Sequence, residues 1–577
     1  MNFRIPAFLT ASAVAGVALV ACGGDGPQLP TLSPASAGSL VSCTELASKA
    51  TFAATTYASA TLVPAGSLTL SGASVAAPEH CLVRGEMNRR TSPVDGASYA
   101  IGFEMRLPTA WNGRYYYQAN GGIDGSVATA MGPNSGFGPA SQTALQMGFA
   151  VISSDAGHQP PAPFFGLDPQ ARLDYGYQAV GSLTPMAKNL IKAAYGRGPD
   201  RSYIGGCSNG GRHAMVAASR FADQYDGVLA GAPGFHLPKA ATAQLWKVQQ
   251  YASIASATIA SGADAGQPDI TSAVTAAEFA TLGQAITAKC DALDGLTDGM
   301  VSDVRACQSV FNLGTDVPTC TGARDGNCLT TAQKGVIGKI FAGARNSKGE
   351  ATYAPFYLDP GVAGADHRGW HYSRSVALDP GAVAFIFTSP PMARSAFLAT
   401  TGLKYALAFS MDTDHPRMFS TDATYKESPW SYMTPPNETD LSTLKNRGAK
   451  LLVYHGVADP IFSAADTSGW YESLQTVHGG YADRFARYFM VPGMNHCSGG
   501  PTLDHFDMIN QLVNWVEKGA APEAVVATAR GAGTAFPNAE VPAQWSPSRT
   551  RPLCPYPKVA RYKGSGAVED AASFQCQ

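Results

Sequence analysis

The stretch Tyr203-Ile204-Gly205-Gly206-Cys207-Ser208-Asn209-Gly210-Gly211-Arg212 carries the strongest local signal in the chain. Within it, Gly206-x-Ser208-x-Gly210 has the spacing of a nucleophile elbow, in which a strand turns sharply into a helix and leaves a serine exposed. Glycines flank the serine because side chains would clash in so tight a turn. Residues 202–204 predict a short strand and residues 212–221 a helix, which is the context an elbow requires. A glycine-rich turn without chemistry has the same local sequence, so the partners of Ser208 must decide between the two.

Strands alternate with helices on both sides of this elbow, which predicts a mostly parallel sheet with right-handed crossovers. The predicted strands are residues 101–107, 114–118, 149–152, 227–231, 450–455 and 485–491. The predicted helices are residues 142–147, 178–195, 212–221 and 506–518. The alternation stops between residues 237 and 435, where irregular helices, aromatic residues and proline-rich turns prevail. We therefore expect an α/β catalytic domain of residues 41–236 and 436–577, interrupted by a lid domain of residues 237–435.

The amino terminus predicts export. Residues 7–20 form an apolar run after Arg4, too short to span a bilayer as a mature helix. The run ends in Leu19-Val20-Ala21-Cys22-Gly23, which looks like a lipoprotein signal whose Cys22 is lipidated; an ordinary cleaved secretory signal is the alternative. Residues 1–22 would be the signal peptide and residues 23–40, rich in Gly, Pro and Ser, a flexible tether. We expect a lipid-anchored outer-membrane protein, periplasmic or extracellular, that touches the membrane only through its lipid.

The composition limits the partners. With 45% hydrophobic and 15% charged residues the chain is globular, and a net charge of −2 gives no reason to expect a nucleic-acid partner. No internal repeat is present, and we expect a monomer that binds a small molecule.

Two later strand ends supply the partners that a serine nucleophile needs. A serine hydroxyl requires a base to take its proton, and the base works best when a carboxylate fixes its tautomer. In an α/β-hydrolase these follow the serine in the order acid, then histidine. Asp459 follows the strand at residues 450–455, and His496 follows the strand at residues 485–491. Ser208, Asp459 and His496 are therefore the predicted triad, and the order and placement favour catalysis over three unrelated loop residues.

An oxyanion hole needs two main-chain N–H donors near the nucleophile. The residue after the nucleophile, Asn209, is the first candidate. The second is Gly122, in the glycine loop Asn120-Gly121-Gly122 that follows the strand at residues 114–118.

An even number of cysteines remains once Cys22 is set aside from the total of 11, and in an exported chain this indicates disulfides. Short spacings suggest the pairs Cys290–Cys307, Cys320–Cys328 and Cys554–Cys576. Cys207 precedes Ser208 and Cys497 follows His496, so a Cys207–Cys497 bridge would tether the nucleophile to the base.

Three motifs identify a family resemblance: Gly-Cys-Ser-x-Gly-Gly at residues 206–211, His-Gly-x-x-Asp at residues 455–459 and Gly-Met-x-His-Cys at residues 493–497. Together they resemble the tannase and feruloyl esterase family, and the resemblance covers essentially the whole mature chain. It implies an α/β-hydrolase fold with a lid, the triad named above and the bridge between Cys207 and Cys497. It also implies that Cys43 pairs with Cys81 and that the three short-range pairs form.

The resemblance also assigns a structural calcium ion to the lid. Asp291, Asp294 and Asp298 fall in one short glycine-containing loop, and hard oxygen ligands suit Ca²⁺, although a solvated acidic turn has the same spacing. By resemblance, the main-chain carbonyls of Leu296 and Met300 complete the ligand set. No organic cofactor is implied. A zinc site at His367-x-x-x-His371 is a weaker alternative, because no glutamate follows the first histidine.

The substrate is the least determined property. The resemblance implies esters of aromatic acids, of the feruloyl, galloyl or mono(2-hydroxyethyl) terephthalate type, with Phe462 lining the acyl pocket. Arg374 is the lid arginine placed to bind a substrate carboxylate, although the residues after it and Asn209 depart from the pattern of terephthalate-type members. The alternatives are an enzyme dedicated to mono(2-hydroxyethyl) terephthalate and a non-catalytic surface binding protein of the same fold.

Overall fold

The computed structural model describes residues 29–70, 73–74, 76–133 and 142–577. The predicted signal peptide, Cys22 and the first part of the predicted tether lie outside these residues. Within the described ranges, no helix is both long and apolar enough to cross a membrane.

One nine-stranded mixed sheet forms the centre of the molecule. Its spatial order is β9-β8-β7-β6-β4-β5-β3-β2-β1, and the six strands from β9 to β5 are mutually parallel. The strands are β1 (Thr55–Val63), β2 (His80–Thr91), β3 (Ser98–Pro108), β4 (Arg114–Gln118), β5 (Ala150–Ser154), β6 (Arg201–Cys207), β7 (Gly227–Gly231), β8 (Lys450–Gly456) and β9 (Ala486–Val491).

Alternating side chains of the central strands enter two separate hydrophobic clusters, because successive residues of a strand point to opposite faces. Ile204 and Leu451 belong to one cluster, and Tyr203 and Leu452 belong to the other. Residues of helices Ala179–Tyr195, Asn209–Arg220 and Ala464–Val477 join the first cluster, and helix Met508–Lys518 joins the second. Both faces of the sheet are therefore covered, as a parallel sheet requires.

The long segment between β7 and β8 adds no strand to this sheet. Its longer helices are Leu237–Ala252, Ala276–Cys290, Val304–Val310, Thr331–Phe341, Asp379–Phe385 and Gly402–Ala408. We call residues 237–435 the lid, with the bounds that the sequence predicts.

The amino-terminal residues 29–40 contact the core. Gly38–Ser39 pairs with Ala110–Trp111 as a two-residue ribbon, and the Ala35 amide donates to the Glu517 carboxylate (2.9 Å). This part of the predicted tether therefore lies against the catalytic domain.

The predicted helix at residues 142–147 is wrong. The structure has turns there, with one helical hydrogen bond from the Met147 amide to the Thr143 carbonyl (3.0 Å). Gly148, at φ +90°, ends the turn before a helix can continue, because the left-handed region cannot propagate a right-handed helix.

All five predicted disulfides are present, so the pairing is confirmed. They are Cys43–Cys81, Cys207–Cys497, Cys290–Cys307, Cys320–Cys328 and Cys554–Cys576.

Candidate active site

Ser208 lies in a sharp turn between β6 and helix Asn209–Arg220. This helix begins at Asn209, three residues earlier than the predicted start at residue 212. Its backbone has φ +67° and ψ −128°, a conformation that non-glycine residues rarely adopt and that is typical of functional sites. A side chain at Gly206 or Gly210 would overlap the carbonyl oxygen of Ala119. The two glycines of the motif are therefore required by the close approach of the chain that follows β4.

The structure brings the three predicted triad residues together. The Ser208 hydroxyl lies 2.8 Å from Nε2 of His496, and Nδ1 of His496 lies 2.7 Å from Oδ2 of Asp459. All three side chains are buried. This arrangement lets Nε2 accept the serine proton while Asp459 holds the opposite nitrogen as a donor.

Asp459 is held as a carboxylate by several donors. Its Oδ1 accepts the amides of Ile461 (2.9 Å) and Phe462 (3.0 Å), and His455 lies 3.3 Å from Oδ2. Burial alone would raise the pKa of Asp459, but the charge of His496 and the hydrogen bonds from His455 and His496 lower it below its usual range. Asp459 is therefore a carboxylate at neutral pH and can stabilise the positive charge of a protonated His496.

The Cys207–Cys497 disulfide joins the residues next to Ser208 and His496, with Cα atoms 6.2 Å apart. Cys497 also has a positive φ of +66°. Ser208 and His496 thus follow two different strands, β6 and β9, and the disulfide between their neighbours links the two loops covalently.

The two predicted oxyanion donors lie on neighbouring segments. β4 and β6 are adjacent and parallel, so the loop with Gly122 and the elbow with Asn209 leave the same edge of the sheet. The Asn209 side chain donates to Asp124 (2.8 Å), two residues after Gly122, and accepts from Arg212 (2.7 Å). Burial raises the pKa of Asp124 to about 7, although His158, Arg212 and Asn209 oppose the shift. This buried network ties the glycine loop to the elbow.

Two aromatic side chains contact the ring of His496. Trp370 of the lid lies edge-on to it at a centroid distance of 5.1 Å, and Phe462 lies edge-on at 5.3 Å. Arg374 lies over Trp370, with its guanidinium carbon 4.8 Å from the ring centroid, and pairs with Asp366 (2.7 Å). Its side chain is 48% exposed.

The predicted metal loop is compact. The buried carboxylates of Asp291 and Asp294 each accept two main-chain N–H groups of the loop. The carbonyls of Leu296 and Met300 accept no hydrogen bond from the described part of the chain, which fits oxygen atoms available to a hard cation.

Two observations argue against a metal site in this loop. Asp298 forms an ion pair with Arg551, and the described ranges contain no cluster of three or more His, Cys, Asp or Glu side chains arranged to hold a metal. A calcium site here would depend on the main-chain carbonyls, and it stays a prediction.

The His367–His371 pair is a hydrogen-bonded pair. Nε2 of His371 lies 3.0 Å from Nε2 of His367, whose Nδ1 lies 3.2 Å from the carbonyl of Ala458. The carbonyl requires a proton on Nδ1 of His367, so His371 donates to the other nitrogen. Burial lowers the pKa of His367 to about 3, which keeps the ring neutral. Among the residues that the structure describes, no group of three or more His, Cys, Asp or Glu side chains is arranged to hold a metal, so the weaker zinc alternative gains no support.

Comparison with known proteins fits this geometry. The sequence profile described as "Tannase and feruloyl esterase" matches residues 81–577. The chain belongs to the tannase and feruloyl esterase family. Within the family, it is 39% identical over 540 residues to mono(2-hydroxyethyl) terephthalate hydrolase of Piscinibacter sakaiensis, covering 88% of this chain and 86% of the relative. It is 28% identical over 527 residues to a probable feruloyl esterase B-1 of Neosartorya fischeri, covering 88% of each chain.

Solved structures of the family share the fold. Feruloyl esterase B from Aspergillus oryzae has a TM-score of 0.72 at 23% identity and covers 93% of this chain and 99% of its own. Tannin acyl hydrolase from Aspergillus niger has a TM-score of 0.62 at 19% identity, with 93% and 95% covered. The predicted α/β-hydrolase class is confirmed, and family membership supports an ester hydrolase acting on a small ester.

Three contacts of the site were missed at the sequence level. His455 touches Asp459, and its signal was present in the His-Gly-x-x-Asp motif. No local pattern distinguishes Trp370 from the other aromatic residues of the lid or points to Asp124, because their contacts join segments far apart in the chain.

Proposed function

We propose that this chain is an exported serine carboxylesterase that hydrolyses esters of aromatic acids through an acyl-enzyme. The observation that carries the proposal is the continuous contact from Ser208 through His496 to Asp459, at 2.8 Å and 2.7 Å. Ser208 Oγ would attack the ester carbonyl carbon while its proton moves to Nε2 of His496. The same proton would then pass to the departing alcohol, and water would release the acid from Ser208 by the reverse sequence. The amides of Gly122 and Asn209 would bind the oxyanion.

The aromatic acyl group is favoured by the side chains around the base. Trp370 and Phe462 both contact His496, so a flat ring attached to the reacting carbonyl would meet aromatic surfaces. Such ring contacts contribute roughly 0.5–1.5 kcal/mol beyond the burial of area. The names of the relatives, a terephthalate ester hydrolase and a feruloyl esterase, agree with this class.

A narrower candidate is hydrolysis of mono(2-hydroxyethyl) terephthalate, favoured by the relative that is 39% identical. Its free carboxylate would require a cation, and the half-exposed Arg374 lies over Trp370 at the side of His496. A non-catalytic binding protein is disfavoured, because the triad is complete and in hydrogen-bonding geometry.

Export and calcium are further parts of this proposal. Five disulfides suit an oxidising compartment, where a chain lipidated at Cys22 would be anchored. We propose that Asp291, Asp294, Asp298, Leu296 and Met300 hold a structural Ca²⁺. Its role would be to neutralise the acidic loop and stiffen the lid, away from the triad.

The test is hydrolysis of four esters by the purified protein: methyl ferulate, propyl gallate, mono(2-hydroxyethyl) terephthalate and p-nitrophenyl butyrate. We expect the highest kcat/KM on one of the three aromatic acids and a loss of roughly a thousandfold or more in Ser208→Ala. A preference for butyrate would exclude the aromatic class, and an active Ser208→Ala would exclude the serine mechanism.

A further inference from the structure

Hydrogen bonds with the lid hold both loops that carry the later triad residues. In the His496 loop, the Gly493 amide donates to the Asp359 carboxylate (3.2 Å), and Asn495 donates to the carbonyl of Gly361 (2.9 Å). Asp359 and Gly361 belong to the lid. The lid therefore contacts the catalytic domain where the base is positioned.

The loop with Asp459 is held more closely. The carbonyl before the acid, that of Ala458, accepts a hydrogen bond from His367 (3.2 Å). The carbonyl after it, that of Pro460, accepts two, from Lys247 Nζ (2.8 Å) and from Gln244 Nε2 (3.0 Å). Lid donors thus hold the peptide group that precedes Asp459 and the second peptide group after it.

Lys247 is an unusual residue in this position. It is 2% exposed, on helix Leu237–Ala252, and its Nζ lies 3.6 Å from the ring centroid of Phe356. Burial lowers the pKa of Lys247 to about 7, although Asp459 and Asp379 oppose the shift. Burying an amino group costs free energy unless polar contacts offset it, so the fold retains Lys247 at a cost to stability.

The hydrogen-bond acceptor of Lys247 indicates why a buried lysine is retained at this position. Asp379 lies within electrostatic range of Lys247, yet its Oδ2 has no hydrogen-bond partner among the described residues. Lys247 donates to the carbonyl of Pro460 instead. Gln244 is one helical turn before Lys247 on the same face, so both residues reach one carbonyl from one rigid element.

We propose that Lys247, together with Gln244, is a positioning device of the lid that holds the Asp459 loop in register with His496. The proposal rests on the triad mechanism proposed above. Loss of the donor would let the carboxylate drift from Nδ1 of His496, and a displacement of about 1 Å in a catalytic constellation can cost on the order of a hundredfold in rate.

The experiment compares Lys247→Met, which keeps the length and removes the donor, with Lys247→Gln, which keeps a donor and removes the charge. We expect Lys247→Met to lower kcat on methyl ferulate about tenfold with KM within about twofold, because substrate contacts are unchanged. Inactivation by phenylmethylsulfonyl fluoride should slow by the same factor, since it also requires an activated Ser208. Lys247→Gln should lose less than Lys247→Met in both assays.

Lys450→Met is the matched control. Lys450 is also buried, donates to a main-chain carbonyl (Gly448, 2.9 Å) and lies near an aromatic ring (Trp515, 5.8 Å), but it does not contact the acid loop. Its substitution should lower Tm while leaving kcat within about twofold. Gln244→Met removes the second donor to Pro460 and provides the deciding variant if Lys247→Met does not fold; it should lower kcat in the same way.

Two results would overturn the positioning role: kcat within twofold of wild type in the folded Lys247→Met or Gln244→Met variant, or an equal kcat loss in Lys450→Met. Ser208→Ala measured alongside separates the two proposals. An inactive Ser208→Ala with an active Lys247→Met removes only the positioning role, whereas an active Ser208→Ala removes the serine mechanism itself.

Discussion

Trp370 of the lid lies edge-on against the imidazole of His496, with ring centroids 5.1 Å apart. One lid residue therefore contacts both the imidazole of His496 and, through its ring face, the guanidinium of Arg374. The contact of Arg374 with a substrate carboxylate can therefore be tested.

We expect Arg374→Ala to raise KM for mono(2-hydroxyethyl) terephthalate about tenfold and to change KM for methyl ferulate by less than about twofold. Only the terephthalate ester carries a carboxylate, and a charge-assisted hydrogen bond contributes roughly 1.5–3 kcal/mol. Arg394→Ala is the matched control, because Arg394, also a lid arginine, lies over a different aromatic ring, that of Phe164 in the catalytic domain (4.3 Å). Equal losses on both esters would exclude Arg374 as a carboxylate ligand.

Replacing Cys207 and Cys497 together with alanine should lower both Tm and kcat. The bridge spans 290 residues, so the loop-closure contribution is at most about 6 kcal/mol, and the bridge also joins the residues next to Ser208 and His496. The Cys320–Cys328 pair, separated by 8 residues within the lid, is the control, and its removal should affect Tm alone. Unchanged kcat in the first double variant would show that the disulfide is not needed for the register of the triad.

Chelation of calcium should lower Tm by several degrees while kcat at 25 °C changes by less than about twofold. The reason is that the acidic loop belongs to the lid scaffold, and a bound cation would stabilise only the folded state. The measurement is a thermal melt with and without EDTA, with calcium content determined by elemental analysis. A calcium-to-protein ratio near zero in protein purified without chelator would contradict the site.

Stability should fall at alkaline pH because of His236, which lies just before the lid. Its ring nitrogens contact Asp466 (2.9 Å) and Glu438 (2.8 Å). Burial disfavours the charged ring, but these two carboxylates outweigh it and raise the pKa of His236 from 6.5 to about 9.

When the pKa of a histidine is higher in the folded state, its charged ring stabilises the fold fully at any pH below the unfolded-state pKa. That stabilisation is lost as the pH rises through the folded-state pKa. We expect a loss on the order of 3 kcal/mol of unfolding free energy between about pH 6.5 and pH 9. Urea titrations at several pH values would measure it. His236→Gln should flatten this dependence and His478→Gln should not; an unchanged slope in His236→Gln would contradict the assignment.

The sequence predicted those features that depend on a single local run of residues. Apolar and aromatic runs predicted β4 and β7 with their observed bounds. Asp459 and His496 were predicted because loops after the ends of strands carry the triad in this fold class, and these residues follow β8 and β9. The helix predicted at residues 142–147 does not form, because Gly148 has a positive φ and ends the single helical turn between Thr143 and Met147.

Other features depend on contacts between distant segments. Nothing in the apolar spacing of helix Leu237–Ala252 indicates that Lys247 points inward to the Pro460 carbonyl, 213 residues away. Likewise, the link from Asp124 to Asn209 depends on how the glycine loop packs against the elbow, which no local pattern encodes.

The most direct test of the account is the covalent intermediate on Ser208. The enzyme would be mixed with a slow aromatic ester, quenched in acid within the first turnover, reduced and digested with trypsin. We predict a mass increase equal to the acyl group on the peptide of residues 202–212, which contains Ser208, and no increase in His496→Ala. An acyl group on another peptide, or rapid turnover with no adduct and full activity in Ser208→Ala, would contradict the serine esterase assignment.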